Sequence, residues 1–196
     1  MTASATPVDV LDGRARADQD RRYTLRETID YCARKAGVEA WDLDVAADAE
    51  SHWAPRWYSA PGDLAHAPGW AGCDGLDLPW AGRVWCNPPF SDVWAWIEKA
   101  WHEWDTGRCA AIALLLPANR TEQPGWQQLV EYRRDGRDRS ERFATHFLPR
   151  RTRFGHPGNA SGDGVGSPPF GCVLLTWRPP RRDARAGQTS LFGGGL

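Results

Sequence analysis

Eight consecutive residues without a charge, Cys109-Ala110-Ala111-Ile112-Ala113-Leu114-Leu115-Leu116, constrain this chain more than any other stretch. A strand with one wet face alternates apolar and polar side chains. An unbroken apolar run of this length is typical of a strand covered on both faces. A second such run, Gly171 to Trp177 (GCVLLTW), reads the same way. Shorter strand-like runs occur at Trp41–Ala47, Arg83–Cys86 and Phe143–Leu148. Helical signals fall between them. Thr24 and Glu27 have capping-box spacing and open a helix through Ile29 and Ala33 to Gly37. From Ser91 to Trp104 the apolar residues Val93, Ile97, Trp101 and Trp104 recur at helical spacing, and Gly107 ends that helix. Pro124 begins another through Leu129 and Val130. Strands alternating with helices predict a three-layer α/β fold with a mainly parallel sheet.

The length of 196 residues suits one domain with tails. Residues 1–22 are small, polar and charged, and are expected to be a disordered arm. Residues 23–178 form the domain, and 179–196 are expected to be a flexible tail. Residues 48–82 are rich in Pro, Gly and Trp without clear periodicity and read as a long functional loop. Residues 155–169 read as a mobile one. No apolar run approaches the ~20 residues of a membrane span, and the first twenty residues lack a signal-peptide core, which predicts a cytoplasmic protein. The five cysteines are scattered without a C-x-x-C pair, so no zinc or other metal site is expected. Cys86, Cys109 and Cys172 lie in apolar runs and read as buried small hydrophobes.

Asn87-Pro88-Pro89-Phe90 follows the Arg83–Cys86 run and precedes a helix. A strand ending in such a turn presents acceptors and a ring face to a planar amine. The exocyclic nitrogen of adenine is a poor nucleophile, because its lone pair is delocalised into the ring. The Asn87 side-chain carbonyl and the Pro88 main-chain carbonyl can each accept one of its N–H bonds and favour a more tetrahedral nitrogen. Two prolines fix φ and hold those acceptors still, and preorganised dipoles lower barriers by several kcal/mol. Phe90 is expected to stack on the base. In open α/β sheets the carboxyl ends of the strands are where ligands bind.

The ordered set of motifs resembles the phage-type DNA N6-adenine methyltransferases, a small Dam-like family. The resemblance runs from Tyr23 to Trp177. It comprises Trp41-Asp42-Leu43-Asp44-Val45-Ala46-Ala47, then Gly75-Leu76 with Trp80 and Gly82, then Val84-Trp85-Cys86-Asn87-Pro88-Pro89-Phe90, Leu114-Leu115-Leu116-Pro117-Ala118, and Arg153-Phe154. The family usually has Tyr where this chain has Phe90. The resemblance implies S-adenosylmethionine as cofactor and a Rossmann-like methyltransferase fold. It implies that Asn87, Pro88, Pro89 and Phe90 form the catalytic turn. Asp44, Ala46, Asp77 and Asn87 are implied as cofactor contacts, with Asp44 on the methionine amine or a ribose hydroxyl. Asp42 is expected to face the other way. The G-x-G loop common after the first strand of methyltransferases is absent: Asp44 is followed by Val-Ala-Ala-Asp, small residues that also allow a close backbone approach.

The net charge is −1, yet residues 133–153 hold eight arginines. Arg133, Arg134, Arg137, Arg150, Arg151 and Arg153 are the candidate contacts to the phosphates of double-stranded DNA, with Asp135, Asp138 and Glu141 interleaved. In the tail, Gln188-Thr189-Ser190-Leu191-Phe192 is similar to the pentapeptide by which bacterial replication proteins bind the sliding clamp, so Gln188, Leu191 and Phe192 are candidate partner contacts. Three alternatives stay open: N4 of cytosine as acceptor, a protein glutamine amide as acceptor, and a non-catalytic DNA- or clamp-binding module. The length leaves no room for a separate target-recognition domain, so recognition is expected from loops such as 48–82 and 155–169.

Overall fold

The structure, a computed structural model, describes residues 22–135, 142–156, 158–159 and 167–178. Residues 1–21 of the expected arm and the tail lie outside these residues, as do Arg137, Arg139 and the candidate clamp contacts Gln188, Leu191 and Phe192, whereas Arg22, expected in the disordered arm, packs on Phe90.

The described elements are β1 (Tyr23–Thr24), α1 (Arg26–Ala36), β2 (Leu43–Asp44), β3 (Arg56–Ser59), β4 (Trp70–Cys73), β5 (Gly82–Cys86), a 3-10 turn (Phe90–Asp92), α2 (Val93–Asp105), β6 (Cys109–Pro117), the helical stretch α3 (Pro124–Trp126, a π-helical Gln127–Glu131, then Tyr132–Asp135), β7 (Phe143–Phe147), β8 (Phe154–Gly155) and β9 (Cys172–Trp177). Seven strands form one sheet in the order β4-β3-β2-β5-β6-β9-β7. β9 runs antiparallel to both neighbours, while β4, β3, β2, β5 and β6 are parallel in sequence. This is a Rossmann-like α/β sheet, as its strand pattern predicts.

The apolar run does what its composition dictates. β6 is buried at every position but Ala110, and β9 at every position. Burial on successive residues means that both faces are covered. α1 packs on β6 and β9, and α2 on β6. Ile97 and Trp101 of α2 are buried at the spacing that marked them. At the sheet's end Trp101, Phe143 and Trp177 pack mutually, with ring centroids 4.8–5.1 Å apart. Gly37 and Gly107 close α1 and α2 with φ of 73° and 74°, a left-handed conformation in which a side chain would be strained.

Three expectations need correction. Thr24 does not cap α1. It lies in β1, Leu25 occupies the N-cap position, and no side chain caps the helix there. Residues 48–82 are not one loop, because β3 and β4 lie within them. Both are four-residue strands, too short and too broken by Pro and Gly to show a period of two. Finally, residues 155–169 begin in a strand: β8 pairs antiparallel with β1, Tyr23 with Gly155 and Thr24 with Phe154.

Candidate active site

The sheet's switch point lies between β2 and β5, which are parallel neighbours with chain connections leaving in opposite directions. A cavity of about 510 Å³ opens there. That size is normal for a small-molecule site. Its lining runs from Ser59–Asp63 after β3, through Asp44–Asp48 after β2, to Asn87 and Pro89 after β5, and Arg22–Thr24 closes it from outside.

Asp44 is the last residue of β2 and buried. Its Oδ2 accepts the Trp53 N–H at 3.0 Å and its Oδ1 the Ala46 N–H at 3.4 Å. Burial pushes its carboxyl up to about 7, against the lowering effect of those two donors. Asp44 thus organises the loop after β2 as a turn carboxylate, and Ala46 lines the cavity beside it. Asp42 faces away and is held by Arg83, which donates through Nε at 2.9 Å and Nη2 at 2.6 Å. Asp77 is exposed, its N–H donated to the Asp74 carbonyl, and it does not line the cavity.

Sequence reasoning missed several lining residues, among them Asp48, Trp53, Ser59, Asp63 and Trp96. They follow strands that had not been recognised or sit where another segment folds back. Gly75 had a detectable signal in the Gly-Leu pair. A Cβ there would lie 2.1 Å from the Val45 carbonyl oxygen and 3.0 Å from the Trp96 ring, so the backbone itself forms the wall. Three of the four charged lining residues are carboxylates, Asp44, Asp48 and Asp63, and the fourth is Arg22. Acidic walls and a wall of bare backbone fit a cationic nucleoside such as S-adenosylmethionine.

At the other end, β5 delivers the Asn-Pro-Pro-Phe turn to the cavity. Asn87 Nδ2 donates to the Arg22 carbonyl at 2.6 Å. Asn87 Oδ1 is buried and has no hydrogen-bond partner. Asn87 and Pro89 line the cavity, while Pro88 and Phe90 sit behind it, both buried. The expected open face of Phe90 is not free. Phe154 and Phe170 meet the ring edge-on, at 6.0 and 5.9 Å, and the Arg22 guanidinium carbon lies over it, 5.3 Å from the centroid.

The arginine cluster divides. β7 runs parallel to β6, so residues before it lie at the amino edge of the sheet and residues after it at the carboxyl edge. Five residues of strand separate the two groups by roughly 17 Å. Arg133 and Arg134 are at the amino edge, away from the cavity. Arg133 lies over the Trp101 ring at 4.7 Å, and Arg134 is paired with Glu131. Arg150, Arg151 and Arg153 are exposed on the carboxyl-edge side, and Arg153 lines a second cavity with Tyr23, Thr24 and Trp53. Arg153 also faces Glu27 at 4.0 Å.

The described cysteines are all free thiols. Burial raises Cys86 well above the usual thiol range and Cys109 to about 12, which suits packing rather than nucleophilic duty. Among the described residues no helix is long and apolar enough to cross a membrane.

No curated protein sequence matches the chain. Among solved structures, the 23S rRNA methyltransferase ErmE is similar with a TM-score of 0.48 and 15% identity, over 83% of this chain and 72% of that one. A human methyltransferase 10 domain containing protein is similar with a TM-score of 0.44 and 10% identity, over 80% and 85%. The family model for DNA N-6-adenine-methyltransferase (Dam) matches residues 14–134, more than half the sequence, and the chain belongs to that family of methyltransferases.

Proposed function

We propose that this methyltransferase moves a methyl group from S-adenosylmethionine to N6 of adenine in DNA. The observation that carries the reading is Asn87 Oδ1. It is a buried acceptor without a partner, on a cavity-lining side chain whose amide nitrogen is already engaged. A buried acceptor left unpaired costs about 1–3 kcal/mol, so a ligand N–H is the natural partner. The family membership supports the choice of an adenine amine.

Asp44, Ala46, Asp48, Ser59 and Asp63 are the residues that would hold the cofactor, which supplies a methyl group activated on a sulfonium. The chain's own work is orientation. Asn87 Oδ1 accepts one amine N–H, which turns the nitrogen lone pair toward the methyl. In-line alignment of sulfur, carbon and nitrogen replaces a diffusive encounter. No general base is needed before attack, because the nitrogen sheds its proton afterwards. A duplex adenine must leave the stack first, at a few kcal/mol. Arg150, Arg151 and Arg153, on the same sheet edge as the cavity, neutralise phosphates, and these exposed cations favour nucleic acid over a protein amide as acceptor.

The test incubates the protein with methyl-labelled S-adenosylmethionine and unmethylated duplex DNA, then digests and identifies the labelled nucleoside. Label in N6-methyladenosine is expected. Label in N4-methylcytosine would correct the base and keep the mechanism. Cofactor binding without label in DNA would point to a protein amide.

A further inference from the structure

Arg22 is tied to the catalytic turn twice. Its carbonyl accepts the Asn87 Nδ2 hydrogen at 2.6 Å, and its guanidinium lies on the Phe90 ring. Its position is fixed from behind. Tyr23 and Thr24 pair with Gly155 and Phe154, the Thr24 carbonyl accepts the Trp53 indole N–H at 3.0 Å, and Phe154 meets Phe90 edge-on. An asparagine amide has a donor end and an acceptor end that are nearly the same shape. The Arg22 carbonyl takes the donor end, which leaves Oδ1 as the end facing a ligand.

Arg22 has its own unpaired atom. Its Nε is buried without a hydrogen-bond partner, and the residue lines the same cavity as Asn87. One open acceptor and one open donor therefore sit on side chains in contact with one turn. An aminated base presents the complement: amine N–H next to a ring nitrogen that accepts. Thymine, with a carbonyl oxygen where adenine carries its amine, would set acceptor against acceptor. Arg22 also replaces the bare Phe90 face as the planar surface that an incoming base meets.

We propose that Arg22 is a base-recognition residue, whose Nε donates to the ring nitrogen beside the target amine while its carbonyl keeps Asn87 Oδ1 turned toward that amine. This assignment rests on the functional reading above. Its test uses the full chain and a duplex carrying the methylated sequence found by nucleoside labelling. The target adenine is replaced in turn by 1-deazaadenine and 7-deazaadenine, which keep the amine and lose one ring nitrogen each.

Wild type is expected to be slowed by one of the two analogues. Arg22→Ala is expected to be slowed roughly tenfold or more on adenine, the scale of a hydrogen bond from a charged donor, and to show no further slowing on that analogue. Its circular dichroism and unfolding midpoint stay near the wild-type values, which a general loss of structure would not allow. Arg22→Lys keeps the charge and the aliphatic stem, loses the Nε donor, and is expected to lose the discrimination too. It serves if the alanine variant does not fold. The assignment is overturned if wild type is slowed by neither analogue, or if the variants keep the wild-type ratio between adenine and analogue. Absence of label in adenine from wild type overturns the functional reading itself, and the assignment with it.

Discussion

The two edges of the central sheet are built from the same residue types and treat them in opposite ways. At the amino edge, charges are matched. Glu103, almost fully buried, accepts from the Trp80 N–H at 3.1 Å, from Lys99 at 2.8 Å and from Arg108 at 2.6 Å. Burial alone would raise its carboxyl, but those donors outweigh it and leave it below the ordinary range. Asp42 and Arg83 form a forked pair nearby. At the carboxyl edge, Asn87 Oδ1, Arg22 Nε and the buried Thr24 hydroxyl have no partner. The Thr152 hydroxyl shares that condition, and so, at the amino edge, do the indole N–H groups of Trp41 and Trp177. The charged groups of the amino edge are saturated, whereas at the carboxyl edge a charged donor and an amide acceptor that line the cavity are left open.

The contrast breaks most visibly at Glu103. Glu103→Ala leaves two cations and a buried N–H without their acceptor, and should cost about 3–5 kcal/mol in urea unfolding. At temperatures below its transition the variant should turn over at the wild-type rate. Loss of turnover in fully folded protein would mean that the amino edge is not merely structural.

The next effect is the pH dependence of Asp44. Its pKa is raised on folding, so the folded state binds a proton that the unfolded state releases between about 4 and 7. Its contribution to stability is therefore present below pH 4 and is lost as pH rises to about 7, by a few kcal/mol. Asp44→Asn should flatten that part of the stability profile of the cofactor-free protein. An unchanged slope would show that Asp44 is ionised throughout.

Asn87→Ala should cut turnover at least ~100-fold, like loss of an oxyanion-hole donor, with circular dichroism unchanged. Near-normal turnover would refute the role of the open acceptor. The smallest effect sharpens the edge comparison for DNA. Alanine at Arg150, Arg151 and Arg153 together should weaken DNA binding and reduce the slope of log affinity against log salt by up to about three, near one per phosphate contact. The pair Arg133→Ala and Arg134→Ala should leave that slope alone, and an equal change in both would place DNA on both edges.

Much of this was legible before any coordinates. The apolar runs fixed β6 and β9, because a doubly covered strand has no polar face to disguise it. The Asn87 turn was visible because proline removes conformational freedom wherever it stands. What stayed hidden depends on through-space closure. β3 and β4 are too short for periodicity. Phe90 looked like a free stacking face, because nothing in its own neighbourhood announces Arg22, Phe154 and Phe170. The arginine cluster looked continuous, because a strand that carries half of it to the other edge of the sheet is compact in sequence. Arg22 reads as the end of a disordered arm, because its most specific contact is made by a main-chain carbonyl, which no residue type encodes.

The β1–β8 ribbon has a consequence for the order in which the protein becomes competent. Arg22 is among the first described residues to be synthesised, yet Tyr23 pairs with a residue roughly 130 positions later. Closing so long a loop costs entropy before any contact repays it. The sheet order also places β9 between β6 and β7. A nascent chain can therefore assemble β2 to β6 with the Asn87 turn formed while the Arg22 carbonyl and the Phe154 ring are not yet beside it. Methylation competence arrives late, once the segment around Gly155 has been made and joins Tyr23.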